Sequence, residues 1–250
     1  WDNAIQLTQK LKQHYDTPIM WGGTHPTVRP NECLEYADMV CISESEQPLV
    51  ELTRKMAKGE NYFDIKGMGF KTNGKIINNS HGPLPGSKDS IFKHLDEIPH
   101  QDYDWNNHYI LKGEDVLKMD METLNDKNRT YMTMPTRGCP YACTFCVNSE
   151  FLKMYPHQKP IRMRTVDNII GELKSVKDNM PFVKNILFND DAFFLMPLET
   201  IKEFSKKYKE HIKMPLMITG ATPSTLSKTK LSVLVEAGLI EMRMGIQTLA

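Results

Sequence analysis

Long apolar runs are missing. No stretch of the 250 residues approaches the roughly 20 consecutive apolar positions that a membrane helix needs, so no membrane association is expected. Net charge is missing as well: 31 Lys and Arg balance 31 Asp and Glu, which leaves nothing to steer the chain to nucleic acid or anionic lipid. The basic stretch Lys202, Lys206, Lys207, Lys209 and Lys213 shares its helix with an apolar face and reads as a solvated surface. There is no Ser-His-Asp order, phosphate loop, zinc-protease motif, solenoid repeat or low-complexity tract. The start, Trp1-Asp2-Asn3-Ala4, lacks both an initiator Met and the pattern of a signal peptide. The expectation is a cytoplasmic chain excerpted from a longer protein. Cysteine is scarce, and three of the five, Cys139, Cys143 and Cys146, fall within eight residues. That crowding reads as a metal or cluster site rather than a disulfide framework.

What is present alternates strands and helices. Ala4, Ile5, Leu11 and Tyr15 predict a helix over 2–15; Pro18–Trp21 reads as a buried strand ending at Gly22-Gly23; residues 30–37 read as a short helix. Met39–Ile42 reads as a further strand, and Pro48 is expected to open a helix that stops at Gly59. Asn73-Gly74 between two short apolar segments predicts a hairpin. The proline-bearing residues 81–105 read as a crossing between domains, within a linker drawn over 81–128. From about residue 130 the rhythm resumes. A strand over Tyr131–Met134 enters the cysteine loop, and Thr165 caps a helix carrying Val166, Ile169, Ile170, Leu173 and Val176. Then come a strand at Asn185–Phe188, a helix opened by Pro197, a strand at Leu216–Thr219, and a helix over 224–237 closed by Gly238. Ile240, Met242, Met244 and Ile246 are expected on one side of a last strand. The fold class is α/β: a Rossmann-like domain over 1–80, then a TIM-type barrel over 129–250. A full barrel needs about 200 residues or more, so both ends read as cuts in a larger protein.

The loop Arg137-Gly138-Cys139-Pro140-Tyr141-Ala142-Cys143-Thr144-Phe145-Cys146 can wrap a small cluster, since thiolates are the usual ligands of iron there. Three local thiolates are one short of the four that close a cubane. An iron with a vacant position can take a substrate directly, as open catalytic metal sites do. Zinc on three Cys and a distant His is the bland alternative, although His157 does not sit at a usual finger spacing.

At these residues the chain resembles the radical S-adenosylmethionine superfamily, whose signature has the same Cys gaps with an aromatic residue, here Phe145, before the last Cys. The resemblance implies a [4Fe–4S] cluster on Cys139, Cys143 and Cys146, with S-adenosylmethionine on the fourth iron, and an electron donor such as flavodoxin or ferredoxin. The sulfonium would be cleaved to methionine and a 5′-deoxyadenosyl radical. Asn189, Asp190 and Asp191 stand where the family commonly has a polar trio facing the methionine amino group. Thr222 would lie on the ribose side, though many relatives carry Arg near it. Gln247, in Gly245-Ile246-Gln247-Thr248, replaces an acidic residue and would face the nucleoside. Arg162 and Arg164 read either as cofactor or substrate contacts or as a solvated pair.

Trp21-Gly22-Gly23-Thr24-His25-Pro26 followed by Ser43-Glu44-Ser45-Glu46 resembles the second half of the cobalamin-binding domain that precedes many radical enzymes, with serines here where relatives carry glycines. The resemblance puts Gly22, Gly23 and Thr24 on the cobalamin tail. The leading expectation is radical methyl transfer, rearrangement or ring closure on a small-molecule or peptide substrate. The alternatives are a methylthiotransferase-like enzyme, in which Cys33 and Cys41 are the only upstream thiols, and a non-catalytic iron–sulfur or zinc module.

Overall fold

The structure, a computed structural model, describes residues 1–103, 107–123 and 129–247. The chain divides into two compact units, one of residues 1–98 with 140–159, the other of 99–139 with 160–250. Residues 81–98, read from sequence as part of the linker, belong to the first unit and bury Leu84, Ser87, Ser90 and Leu95.

In the first unit, helix α1 (Asp2–His14) leads to strand β1 (Met20–Trp21), the short helices α2 (Thr24–Val28) and α3 (Pro30–Cys33), strand β2 (Met39–Cys41), helix α4 (Glu46–Lys58) and the hairpin β3 (Met68–Thr72) and β4 (Lys75–Asn78). The sheet order is β1-β2-β3-β4, with β1 and β2 parallel and the other pairs antiparallel. Strand β2 is buried throughout because it is covered on both faces. Met39 packs with Leu52, Ile65, Met68 and Phe70, while Val40 packs with Cys33, Leu34 and Ile42. Helix α4 starts two residues before Pro48. The ring is tolerated there because first-turn N–H groups have no intrahelical acceptor. It ends at Gly59 in the left-handed conformation. The Asn73-Gly74 turn has both residues at positive φ, as a tight hairpin requires.

In the second unit, a hairpin of β5 (Tyr109–Lys112) and β6 (Asp115–Lys118) lies within the segment expected to be linker. A parallel sheet follows in the order β12-β11-β10-β7, from β7 (Thr130–Thr133), β10 (Asn185–Phe188), β11 (Leu216–Ala221) and β12 (Leu239–Met244). Two-residue strands β8 (Thr136–Arg137) and β9 (Arg162–Met163) pair antiparallel. Helix α5 (Asn148–Met154) belongs to the first unit, and α6 (Val166–Asn179), α7 (Leu198–His211) and α8 (Lys228–Ala237) to the second. This is part of a β/α barrel wall. Thr165 caps α6 by accepting the Asn168 N–H. Helix α8 begins at Lys228 rather than 224, because Ser227 is the residue that caps it. Ile169, Leu173, Phe188, Phe193, Phe204 and Tyr208 fill the core against the helices. The expected one-sided stripe on the last strand is broken. Register slips between Leu216 and Met217, so Ile240 is passed over and exposed, while Leu239 and Met242 pack inward.

One charge lies on the apolar stripe of α6. Glu172 is buried and bonds Arg164 at 2.7 Å, the Tyr131 hydroxyl at 2.7 Å and the Thr133 hydroxyl at 3.1 Å. Arg164 also donates to Asn168 at 2.6 Å and its side chain is largely buried, so it is not a solvated residue; it ties the chain entering α6 to strand β7. Burial, then the bond to Glu172, pushes the Tyr131 phenol far above its usual range. Removing one partner strands a buried charge, so Glu172→Leu should cost about 3–5 kcal/mol, and adding Arg164→Met should recover much of the loss. Urea unfolding checks both expectations; an unchanged midpoint for Glu172→Leu would contradict the first.

Candidate functional site

Parallel strands place their carboxyl ends along one edge, and the second unit's candidate residues follow those ends. The chain leaves β7, passes Met134-Pro135, and enters β8, where Thr136 and Arg137 pair with Met163 and Arg162. It then turns at Gly138, whose φ is +88° and whose Cα lies so close to the Pro160 carbonyl that a Cβ would overlap it. Cys139 follows at once. The cysteine loop divides between the two units: Cys139 closes a segment of the second, and Cys143 and Cys146 lie in the first.

Cys143 is exposed and Cys139 and Cys146 are half-buried, so the side chains are within reach of solvent. The Cys146 N–H donates to the Cys143 carbonyl at 3.0 Å, and the Cys146 carbonyl accepts the Ser149 hydroxyl at 2.7 Å, which anchors the loop to the first turn of α5. Phe145 is 72% exposed. Cys33 and Cys41 differ sharply: both are buried, and desolvation raises both thiols, Cys41 to about 11. They are packing residues held protonated at neutral pH. Among the described residues no three His, Cys, Asp or Glu side chains gather around the position of a single ion. A cubane differs in giving each thiolate its own iron; three accessible thiols on a glycine-turned loop fit that donor set.

The polar trio after β10 is not one surface. Asn189 and Asp191 are exposed, but Asp190 is 1% exposed and faces inward. Its carboxylate accepts the Thr136 N–H at 2.6 Å, the Thr136 hydroxyl at 2.6 Å and the Ala192 N–H at 2.7 Å. Burial raises its pKa, against the lowering effect of those bonds. After β11, Thr222 is half-buried in a turn in which its N–H donates to the Thr225 hydroxyl at 3.0 Å. After β12, Gln247 is exposed with φ +56°, and Thr248 lies outside the described residues. Thr136 and Glu172 drew no attention in the sequence. Glu172 had a signal, a carboxylate on an otherwise apolar helical stripe, whereas Thr136 had none.

In the first unit the loops that follow parallel strands β1 and β2 are joined by Thr27. Its hydroxyl donates to the Gly23 carbonyl at 2.7 Å and accepts the Ser43 N–H at 2.9 Å. Gly23 has φ +103°, and a Cβ there would meet nothing within 4 Å, so the backbone borders open space. Ser43 has φ +69°, the left-handed conformation that glycine adopts freely. Gly22 packs behind Cys41, and Thr24 is exposed at the start of α2.

Two outcomes are expected. In iron-free protein, maleimide at neutral pH should modify Cys139, Cys143 and Cys146 but spare Cys33 and Cys41, as read by peptide mass; rapid labelling of Cys41 would contradict its burial. Gly138→Ala should misplace the Cys139 backbone and lower iron uptake without abolishing folding, as read by iron analysis and circular dichroism.

Residues 133–250 match the family described as the Radical SAM superfamily. The chain is 28% identical over 235 residues to an uncharacterized methyltransferase of Pyrococcus horikoshii, covering 92% of this chain and 45% of that protein. It is 24% identical over 243 residues to the anaerobic magnesium-protoporphyrin IX monomethyl ester cyclase of Cereibacter sphaeroides, covering 92% and 35%. Among solved structures, the radical S-adenosylmethionine methyltransferase TsrM of Kitasatospora setae, with cobalamin and a [4Fe–4S] cluster bound, superimposes with a TM-score of 0.69 at 16% identity, covering 98% of this chain and 44% of that one. The cobalamin-dependent S-adenosylmethionine radical enzyme OxsB gives 0.66 at 15% identity, covering 99% and 34%. The chain therefore spans less than half the length of these relatives. Residues 133–250 thus carry the match to the radical SAM superfamily, and the chain shares the fold of solved cobalamin-dependent radical S-adenosylmethionine enzymes.

Proposed function

We propose that the protein containing this chain is a radical S-adenosylmethionine enzyme that works with cobalamin in methyl transfer, rearrangement or ring closure. The observation that carries the reading is the set of three accessible thiols on a loop that leaves a parallel strand through a glycine no other residue can replace without overlap. Cys139, Cys143 and Cys146 would hold a [4Fe–4S] cluster. When bound, that cluster supplies one electron to the sulfonium of S-adenosylmethionine, releasing methionine and a 5′-deoxyadenosyl radical.

This chain's own residues supply placement. Asn189, Asp191, Thr222 and Gln247 follow strand ends of the second unit and would orient S-adenosylmethionine, the Asp191 carboxylate being of the charge that suits the cofactor's ammonium group; Phe145, exposed beside Cys146 in the first unit, is the further cofactor contact of the reading. In residues 1–80, assigned to the carboxy-terminal part of a cobalamin-binding-like domain, Gly22, Gly23 and Thr24 would border the cobalamin tail. Support comes from Thr27, which fastens the two strand-end loops to one another, and from Ser43 in a glycine-like conformation. Residues 129–250 are assigned to the radical barrel. The buried, protonated Cys33 and Cys41 are poor ligands for a second cluster, which disfavours a methylthiotransferase-like reading.

No helix among the described residues is long and apolar enough to cross a membrane. A cytoplasmic setting, a flavodoxin- or ferredoxin-type electron donor and a small-molecule or peptide substrate complete the proposal.

Anaerobic reconstitution of the full-length protein should give about four irons with sulfide per chain and, after reduction, 5′-deoxyadenosine from S-adenosylmethionine. Cys143→Ala should lose both. An intact cluster that never yields 5′-deoxyadenosine would sink the radical reading, and an absent spectral change on cobalamin titration would remove the cobalamin part alone.

A further inference from the structure

We infer that Asp190 is a positioning residue for the cysteine loop: it clamps the strand that delivers Cys139 rather than meeting S-adenosylmethionine. The inference rests on the cluster reading above and reassigns one of its candidate cofactor contacts.

Strand β7 pairs with β10 up to Thr133 opposite Phe188, and the Asn189 N–H continues the ladder to the Thr133 carbonyl at 3.1 Å. Beyond that point the ladder ends. The chain runs through Pro135, which has no N–H, into the two residues of β8. On one side β8 pairs with β9, and the Pro135 carbonyl accepts the Arg164 N–H at 3.0 Å. On the other side, among the described residues, it pairs with no strand and meets a carboxylate. Asp190 accepts the Thr136 N–H on one oxygen and the Thr136 hydroxyl on the other, each at 2.6 Å. A bidentate grip of this kind fixes both position and orientation, three residues before Cys139.

The clamp itself is anchored. The Ala192 N–H donates to the same carboxylate at 2.7 Å, and the Asp190 N–H donates to the Thr219 hydroxyl on β11 at 3.0 Å. Gly220, with φ +74°, lies directly against the Asp190 carbonyl, where a Cβ would overlap that oxygen. The rigidity of β10 and β11 is thereby carried to the start of the cluster loop. Burying a carboxylate costs free energy unless it is fully bonded, and here both oxygens are used within the protein. With both oxygens engaged and the residue 1% exposed, the Asp190 carboxylate faces Thr136 and Ala192 rather than the surface where a cofactor ammonium would lie.

Partners one step removed from a metal's ligands typically cost about 10–100-fold in affinity when removed. The test uses reconstituted full-length protein and reads three quantities: the rate of iron release to a chelator, the electron paramagnetic resonance spectrum of the reduced cluster with and without S-adenosylmethionine, and the melting temperature. Asp190→Asn, which turns an N–H toward the Thr136 N–H, should release iron about 10-fold faster or more and alter the spectrum. Thr136→Val, which keeps shape but removes the hydroxyl, should move the same way and keeps the test open if Asp190→Asn does not fold. Thr136→Ser should restore wild-type behaviour. Phe204→Leu, a core change in the same unit, should lower the melting temperature while leaving iron release and spectrum unchanged. Wild-type release and spectrum in Asp190→Asn or Thr136→Val would overturn the clamp. So would equal iron loss in Phe204→Leu, because the effect would then be general loosening. Wild-type protein that binds no iron would overturn the functional reading, and the clamp with it.

Discussion

A loop of eight residues carrying three thiols has almost no freedom to correct a bad start. If the first cysteine leaves the sheet in the wrong direction, the other two cannot compensate within the remaining chain. The structure answers this constraint where the chain departs. Thr136 is gripped from one side by a buried carboxylate and from the other by a short antiparallel strand, and Gly138 makes a turn too tight for a side chain. Hydrogen bonds among Thr136, Asp190, Ala192 and Thr219 bind β8 and the ends of β10 and β11 into one network. The parallel sheet is thus connected to the cysteine loop by geometry as well as by sequence.

A second buried polar network supports the same strand from the helix side. Glu172 reaches Tyr131 and Thr133 on β7 and Arg164 at the entrance of α6. Both networks place a carboxylate where apolar contact alone would leave polar groups unpaired, and both join residues about 40 positions or more apart in the chain. Their shared effect is register: a slip of β7 against β10 and α6 would break the bonds that Tyr131 and Thr133 make to Glu172 and that Thr136 makes to Asp190. In the first unit a neutral version of this device appears, with the Thr27 hydroxyl holding the ends of β1 and β2. Strand ends, where the sheet's own ladders stop, are where the side chains take over.

Much of this was legible in the sequence because it rests on local chemistry. The Thr165 cap, the Gly59 and Gly238 stops, the Asn73-Gly74 hairpin and the apolar stripe of α6 each follow from a few adjacent residues. The three crowded cysteines were equally visible. What the sequence hid depends on distance. Asp190 looked like one of three equivalent polar residues; only the β7–β10 pairing brings Thr136 beside it and turns it inward. The hairpin at 109–118 was hidden for a different reason: its apolar residues Tyr109, Leu111 and Val116 are exposed, so no buried alternation marked it. Residues 81–98 lack periodicity because single side chains such as Leu84 and Leu95, rather than a face, anchor them. The last strand misled because a register slip passes over Ile240 and because Met244 and Ile246 are exposed, which leaves Met242 alone of the expected stripe packed inward.

The central claim is that three thiolates, and no fourth protein ligand, hold the cluster, leaving one iron distinct from the others. Mössbauer spectroscopy of iron-57-reconstituted protein addresses this directly. One iron of about four should change its signal when S-adenosylmethionine is added while the other three keep theirs. Irons that all remain unchanged under saturating cofactor would mean that the fourth position is closed, and the account would be contradicted.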